Sequence, residues 1–261
     1  MNRRGKWHWS IGLAVPVMLL VLWQGVAAAG WAPPSVLPSP VFVIDTLVAM
    51  ATSGEMIQAL QATAMRIAGG FALGAGVATL LGGLCGASGF ARALLDPLIQ
   101  ALRSVPSLAW VPLFILWLGI FEASKITLVA VGVFFPVYLN LVSGIANVDR
   151  KLIEVGRVHG YSPLRRLLRI QLPAALPSYV VGLRGGLGLG WMFVAAAELL
   201  GATNGLGFIL DDGEQTGRPE RVLAALLLFG ICGKLSDWAL AALGRAAISW
   251  QDIDGLQMGR G

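Results

Sequence analysis

The sequence predicts an all-α membrane protein with six transmembrane helices, and three observations predict it. Hydrophobic residues make up 56% of the 261 positions, only 13% are charged, and the apolar positions gather into runs of bilayer-crossing length. A soluble domain carries roughly 25% charged residues, so a soluble globular chain is excluded. Disorder needs low hydrophobicity and high charge, the reverse of a mean hydropathy of +0.75. Six helices leave enough chain for loops and one small soluble element, but not for a second folded domain.

The first run, residues 11–29, follows the basic head Arg3, Arg4 and Lys6. A basic head, an apolar core and Ala27-Ala28-Ala29 would also suit a cleavable signal peptide. The run is longer than such a core needs and the rest of the chain stays hydrophobic, so it is read as span 1. Pro33, Pro34, Pro38 and Pro40 then forbid a helix interior and give an extended outer linker. Residues 41–51 have helical spacing but are too short to cross, which predicts a surface helix. Spans 2 to 6 follow at 63–84, 97–118, 125–145, 178–200 and 222–240, the third broken by Pro106 and Pro112. The organisation is a head, first span and linker at 1–56, a five-helix core at 57–243 and a tail at 244–261.

Charge orients the bundle. With the N-terminus inside, the inner segments hold Arg3, Arg4, Lys6, Arg92, Arg150, Lys151, Arg157, Arg165, Arg166, Arg169, Arg245 and Arg260. The outer segments hold Lys125, Arg218 and Arg221, so twelve stand against three. That asymmetry predicts both termini in the cytoplasm. It also accounts for the net charge of +5 without nucleic acid as a partner. Two cysteines in apolar runs and two histidines predict neither a disulfide framework nor a metal site.

The informative loop is 149–177, between spans 4 and 5. Leu152, Ile153, Val155 and Val158 lie near helical spacing, and Gly160 sits where a helix end wants a left-handed residue. Ser162-Pro163 is a candidate N-cap with proline at the first helical position. The pattern predicts two short helices around a glycine corner, the second ending near Leu172, with Pro173 and Pro177 opening span 5. Such helices are marginal alone and need a partner surface. Leu164, Leu167 and Leu168 would give an apolar side; Arg165, Arg166 and Arg169 would give a basic one. A basic surface loop made by the positive-inside rule is the plain alternative.

Glu154, Gly160, Ile170, Leu172 and Pro173 resemble the EAA motif of binding-protein-dependent ABC importer permeases: EAA, three residues, G, nine residues, I-x-L-P. The spacing matches, with Val155-Gly156 standing where two alanines are usual. Ala197-Glu198 through Gly205-Leu206-Gly207 is similar to a segment of the sulfonate, taurine and nitrate branch of that family. So are Val36-Leu37-Pro38-Ser39-Pro40, Arg103-Ser104-Val105-Pro106 and Gly233-Lys234-Leu235-Ser236-Asp237.

The resemblance implies a type I ABC importer permease fold in a bacterial inner membrane. It implies two permease copies, a homodimer in the simplest case, and ABC ATPase subunits on the cytoplasmic loops that bind ATP and Mg. A periplasmic substrate-binding protein would deliver the cargo, a small oxyanion, an aliphatic sulfonate before taurine or nitrate. This chain would bind no cofactor and catalyse nothing. Its Gly-Lys pairs, Gly5-Lys6 and Gly233-Lys234, lack the hydroxyl residue and spacing of a phosphate-binding loop.

The ATPase-coupling residues are then Glu154, Gly160, Arg165, Arg166, Ile170, Leu172 and Pro173, with Glu154 either a charged anchor or a cap. Arg66, Arg103 and Glu198 are ionisable residues within spans, hence candidates for the translocation path. Lys234 and Asp237, three apart, could pair. Gly182, Gly186 and Gly190 form a face for close helix packing, either within the chain or at a subunit interface. The rival class is a self-contained secondary transporter or channel, which would need its own coupling carboxylates.

Overall fold

A computed structural model describes residues 4–248; Arg3 and the tail from 249 on, with Arg260, lie outside the described residues. In chain order the helices are α1 (Arg4–Ala28), α2 (Pro40–Thr52), α3 (Glu55–Ala87), α4 (Gly89–Ser104), α5 (Val111–Leu118), α6 (Glu122–Ala146), α7 (Arg150–Val158), α8 (Pro163–Arg166), α9 (Leu172–Leu199), α10 (Leu206–Gln215) and α11 (Pro219–Ala247). A 3-10 turn, Ser107–Trp110, precedes α5, and a π turn, Leu167–Gln171, joins α8 to α9. No strand occurs among the described residues.

Among the described residues four helical runs are long and apolar enough to cross a membrane: α3, α6, Pro163–Leu199 and α11. In α1 the shorter apolar stretch is Ala14–Ala28. Span 3 needs correction. The expected break at the prolines is present, but the start is earlier than 97: the segment is a pair, α4 and α5, bent by more than 40°. Pro106 disfavours helix at Val105, which is extended at φ −76° and ψ 123°, and Pro112 restarts the chain in the first turn of α5. With the bent pair counted as one span the described residues give five, and the expected sixth rests on α1, whose apolar stretch is shorter.

The chain divides into two compact units. One holds residues 63–202 and 230–261 and is built on α6. Val129, Val133, Val137 and Tyr138 of that helix are all fully buried at 0% exposure. Helices α3 and α9 lie against it through small residues. Gly70, Gly74, Ala78, Gly82 and Gly86 recur every fourth position on α3. A Cβ on Gly74 would sit 2.3 Å from the Ala130 carbonyl oxygen, and one on Gly86 would sit 2.6 Å from Ile145 Cδ1. On α9 a Cβ at Gly182 would meet Asn140 Cβ at 2.7 Å, and one at Gly186 would meet the Val133 oxygen at 3.0 Å. The glycine face of span 5 is thus closed within the chain against α6. Without a hydrophobic drive between helices in lipid, close backbone approach is the main source of packing energy.

The other unit holds residues 1–62 and 203–229. Ser39 caps α2, its Oγ accepting the Phe42 N–H at 3.3 Å, and Pro40 takes the first helical position. The helix is more than a surface helix, because Val43 and Met50 are 1% and 2% exposed. They share a core with Leu206 and Ile209 of α10 and with Ala224, Ala225 and Leu228 of α11. The sequence reading missed α10, whose start follows Gly205 at φ +117°. Two of the outer basic residues meet carboxylates here: Arg221 pairs with Glu55 and with Asp212 at 3.2 Å, and Arg218 with Glu220 at 3.0 Å.

Candidate functional site

The loop between α6 and α9 begins with a cap. Asp149 Oδ1 accepts the Lys151 N–H at 2.9 Å and starts α7. The helix stops at a Schellman corner. Gly160 takes φ +68°, its N–H reaches the Arg157 oxygen at 2.9 Å, and the Tyr161 N–H reaches the Gly156 oxygen at 3.0 Å. Ser162 Oγ then accepts the Arg165 N–H at 3.3 Å with Pro163 in the first turn of α8. The predicted corner and restart are both present. Since Asp149 caps α7, exposed Glu154 in mid-helix is not a cap.

Two expectations need correction. The second helix does not end near Leu172, because Pro163–Leu199 is one helical run. Pro173 has no N–H, and the chain passes it through the π turn, in which the Leu172 N–H reaches back five residues to Leu167. Nor do the three leucines share one open face. Leu167 is 5% exposed, packed with Leu141, Ile145 and Ala175, while Leu164 and Leu168 are 62% and 55% exposed.

Gly156 explains the departure from two alanines. A Cβ there would lie 2.5 Å from Ile170 Cδ1 and 3.2 Å from Arg166 Cγ. Glycine lets α7 close onto the following helical run, with Ile170 and Arg166 as its supports. Leu172 packs at the edge of the Leu167 cluster, and Pro173 is half-buried. The Arg165 guanidinium stands 4.5 Å over the Tyr161 ring, a cation–π contact that fixes one basic side chain beside the corner. Val155 and Val158 complete an exposed apolar surface with Leu164 and Leu168.

At the opposite helix ends a second cluster joins α3, α6 and α9. Arg66 Nη1 donates to Glu198 Oε1 at 2.6 Å, and Arg66 Nε and Nη2 donate to the Glu122 carboxylate at 2.6 and 2.7 Å. Thr63 Oγ1 lies 2.9 and 3.1 Å from the two Glu198 oxygens. Lys125 is 3.8 Å from Glu122 and donates to the Ile120 oxygen at 2.9 Å. Two cations and two carboxylates balance. Arg66 and Glu198 are 2% and 1% exposed, whereas the Glu122 side chain is 59% exposed. Arg66 and Glu198, offered by the sequence as separate path contacts, are thus partners, and the guanidinium is already engaged on two carboxylates. Exposed Arg103 stands apart in the last turn of α4, where a cation suits the helix C-terminus.

Span 6 holds a further difference. Asp237 is taken not by Lys234 but by Arg184, whose Nε and Nη2 donate to its two oxygens at 2.8 and 2.9 Å. Sequence reasoning missed Thr63, Glu122 and Arg184 as partners. For Glu122 and Arg184 the available signal was an unmatched opposite charge in or beside a span at similar depth; the neutral Thr63 hydroxyl gave no such signal. Among the described residues no three or more His, Cys, Asp or Glu side chains gather as metal ligands would.

The family model for the inner membrane component of binding-protein-dependent transport systems matches residues 70–249. The chain is 40% identical over 249 residues to a Bacillus subtilis protein, SsuC, that carries the name of an aliphatic sulfonates transport permease, with 95% of this chain and 90% of that protein covered. It is 35% identical over 262 residues to the taurine transport system permease protein TauC of Escherichia coli, with 95% and 94% covered. Among solved structures, a chain of the MetNI methionine ABC transporter in inward-facing conformations matches with a TM-score of 0.58 at 23% identity, over 75% of this chain and 95% of that one. That likeness is one of fold.

Proposed function

The chain belongs to the family of binding-protein-dependent transport system inner membrane components and is a permease subunit of an ABC importer, and from that premise we propose that it carries a small oxyanion inward across the bacterial inner membrane by ATP-driven alternating access. An aliphatic sulfonate is the first choice of cargo, because the names of both SsuC and TauC point to sulfonate compounds.

One observation carries the coupling part of this reading. The capped elbow of α7, Gly160 and α8 presents Val155, Val158, Leu164 and Leu168 to the exterior, on a segment that continues into α9 without a break. An exposed apolar surface of this kind marks a protein contact. In this reading ABC ATPase subunits cover it, bind ATP and Mg, and supply the hydrolysis. Glu154 anchors the contact by charge, and Gly160 keeps its two helices at a fixed angle. A second copy of the chain completes the path, a periplasmic binding protein delivers the substrate, and both termini are cytoplasmic.

The test is uptake of a radiolabelled alkanesulfonate into proteoliposomes holding the permease, its ATPase and its binding protein. Uptake should require ATP on the loop side and should stop when the ATPase is left out. Uptake by the chain alone, driven by an ion gradient, would replace this reading with the secondary-transporter one.

A further inference from the structure

Arg184 and Asp237 lie within spans 5 and 6, six and three residues from their inner ends at 178 and 240, and remain open, with 45% and 30% of their side chains exposed. Arg184 stands fourteen residues before Glu198, about 21 Å of helix. Asp237 stands three residues before the inner end of span 6 at 240, within α11, which runs on to Ala247. Lys234, one helical turn before Asp237, is exposed as well. Next to Arg184 there is open space: nothing lies within 4 Å of the position a Cβ on Gly188 would occupy. Trp191 Nε1 donates to Ser236 Oγ at 2.8 Å, so the two helices are tied together beside the charged group rather than splayed there.

Ionisable groups within spans face protein or water, since lipid makes them costly. An arginine can snorkel toward the interface, but Asp237 has no such reach, and the two-bond fork holds the guanidinium to it. The group contains two cations, Arg184 and Lys234, and one carboxylate, Asp237. It is therefore one positive charge in excess, unlike the balanced Arg66 cluster.

We propose that Arg184, Lys234 and Asp237 form an oxyanion contact on the wall of a water-filled translocation path. Asp237 holds Arg184 in place, and Lys234 supplies the unmatched charge. The ligand class is a small, permanently ionised oxyanion such as a sulfonate, whose acceptor oxygens suit a guanidinium fork and an ammonium together. The substrate class rests on the proposed function above; water access does not.

The experiment uses the assembled importer with Cys232→Ser in the permease, to remove the half-buried native thiol. Lys234→Cys is then exposed to a membrane-impermeant thiosulfonate reagent bearing a sulfonate group. The expected result is labelling of Lys234→Cys, slowed severalfold by an alkanesulfonate. In parallel, Lys234→Gln should lower uptake tenfold or more with normal membrane level and ATPase co-purification, and Lys234→Arg should restore it. Absence of labelling, or full uptake by Lys234→Gln, would overturn the proposal. Labelling of Lys234→Cys in an importer that moves no alkanesulfonate even with the native residue at 234 would uphold the water-filled site and reject the proposed cargo.

Discussion

Arg66 meets two carboxylates in different surroundings, and the difference predicts unequal mutants. Its bond to Glu198 is buried on both sides, at 3% and 0% side-chain exposure, whereas Glu122 is 59% exposed. Removing one member of a buried pair leaves the other charge without compensation, at a cost of about 3–5 kcal/mol. Arg66→Met should therefore lower the unfolding midpoint in detergent sharply. The double variant Arg66→Met, Glu198→Leu should recover most of the loss, since a matched apolar pair is often as stable as the ions. Glu122→Gln should cost about 1 kcal/mol or less, because its bonds are shared with water. A double variant no more stable than Arg66→Met alone would refute the buried-pair account. The sequence identified Arg66 and Glu198 as unusual residues but not as partners. A boundary error of two residues moves a side chain about 3 Å along a helix axis and about 200° around it, so cross-helix partners are lost at that precision.

Among elements, the glycine repeat on α3 offers a matched comparison. Gly74→Ala would force a methyl to within 2.3 Å of a backbone oxygen of α6, while Gly76 has nothing within 4 Å. Gly74→Ala should destabilise by about 1–3 kcal/mol, and Gly76→Ala should be neutral or stabilise by up to about 1 kcal/mol. Thermal unfolding of both in the same detergent checks the pair, and equal effects would mean that α3 and α6 are not packed as described. Gly160 gives a second comparison. At φ +68° a β-branched side chain is strained, so Gly160→Val should cost about 1–2 kcal/mol and Gly160→Asn less. Loss of ATPase co-purification in Gly160→Val at normal membrane level would tie the corner to coupling; normal co-purification and uptake in both variants would remove that role.

The corner was legible because a positive-φ glycine followed by Ser-Pro leaves few alternatives. The face of Gly182, Gly186 and Gly190 was legible from its spacing. The α4–α5 break was legible from Pro106 and Pro112, but not the size of the bend: an apolar run reads as a span whether it is straight or folded back. Helix α10 escaped because ten residues containing Asp211, Asp212 and Glu214 do not resemble a membrane element.

For the whole molecule the charge asymmetry makes the topology testable. A reporter fused after Gly261 should be active only in the cytoplasm, and one inserted at exposed Gly217 only in the periplasm. A periplasmic signal from Gly261 would mean an odd number of crossings. The three outer basic residues strengthen the expectation, since each is matched by carboxylates: Lys125 in the Arg66 cluster, Arg218 on Glu220, and Arg221 on Glu55 and Asp212. They exert less pull toward the cytoplasm than their number implies. Overall class was accessible from composition and run length alone, because the bilayer fixes the length and polarity of a span.

The unbroken run from Pro163 to Leu199 makes α9 a lever. Its close approach to α6 runs over Gly182, Gly186 and Gly190, and in the proposed transport cycle the middle glycine would be the fulcrum. The arm toward Pro163 is 23 residues, about 35 Å, and the arm toward Leu199 is 13 residues, about 20 Å. An inward pull of about 5 Å at the loop would then swing the far tip about 3 Å the opposite way. In the proposed alternating-access cycle, opposite displacement at the two ends would act as a seesaw without a hinge inside α9. The tip carries Glu198, so in that cycle the Arg66 clamp would oblige α3 to travel with the lever rather than be left behind.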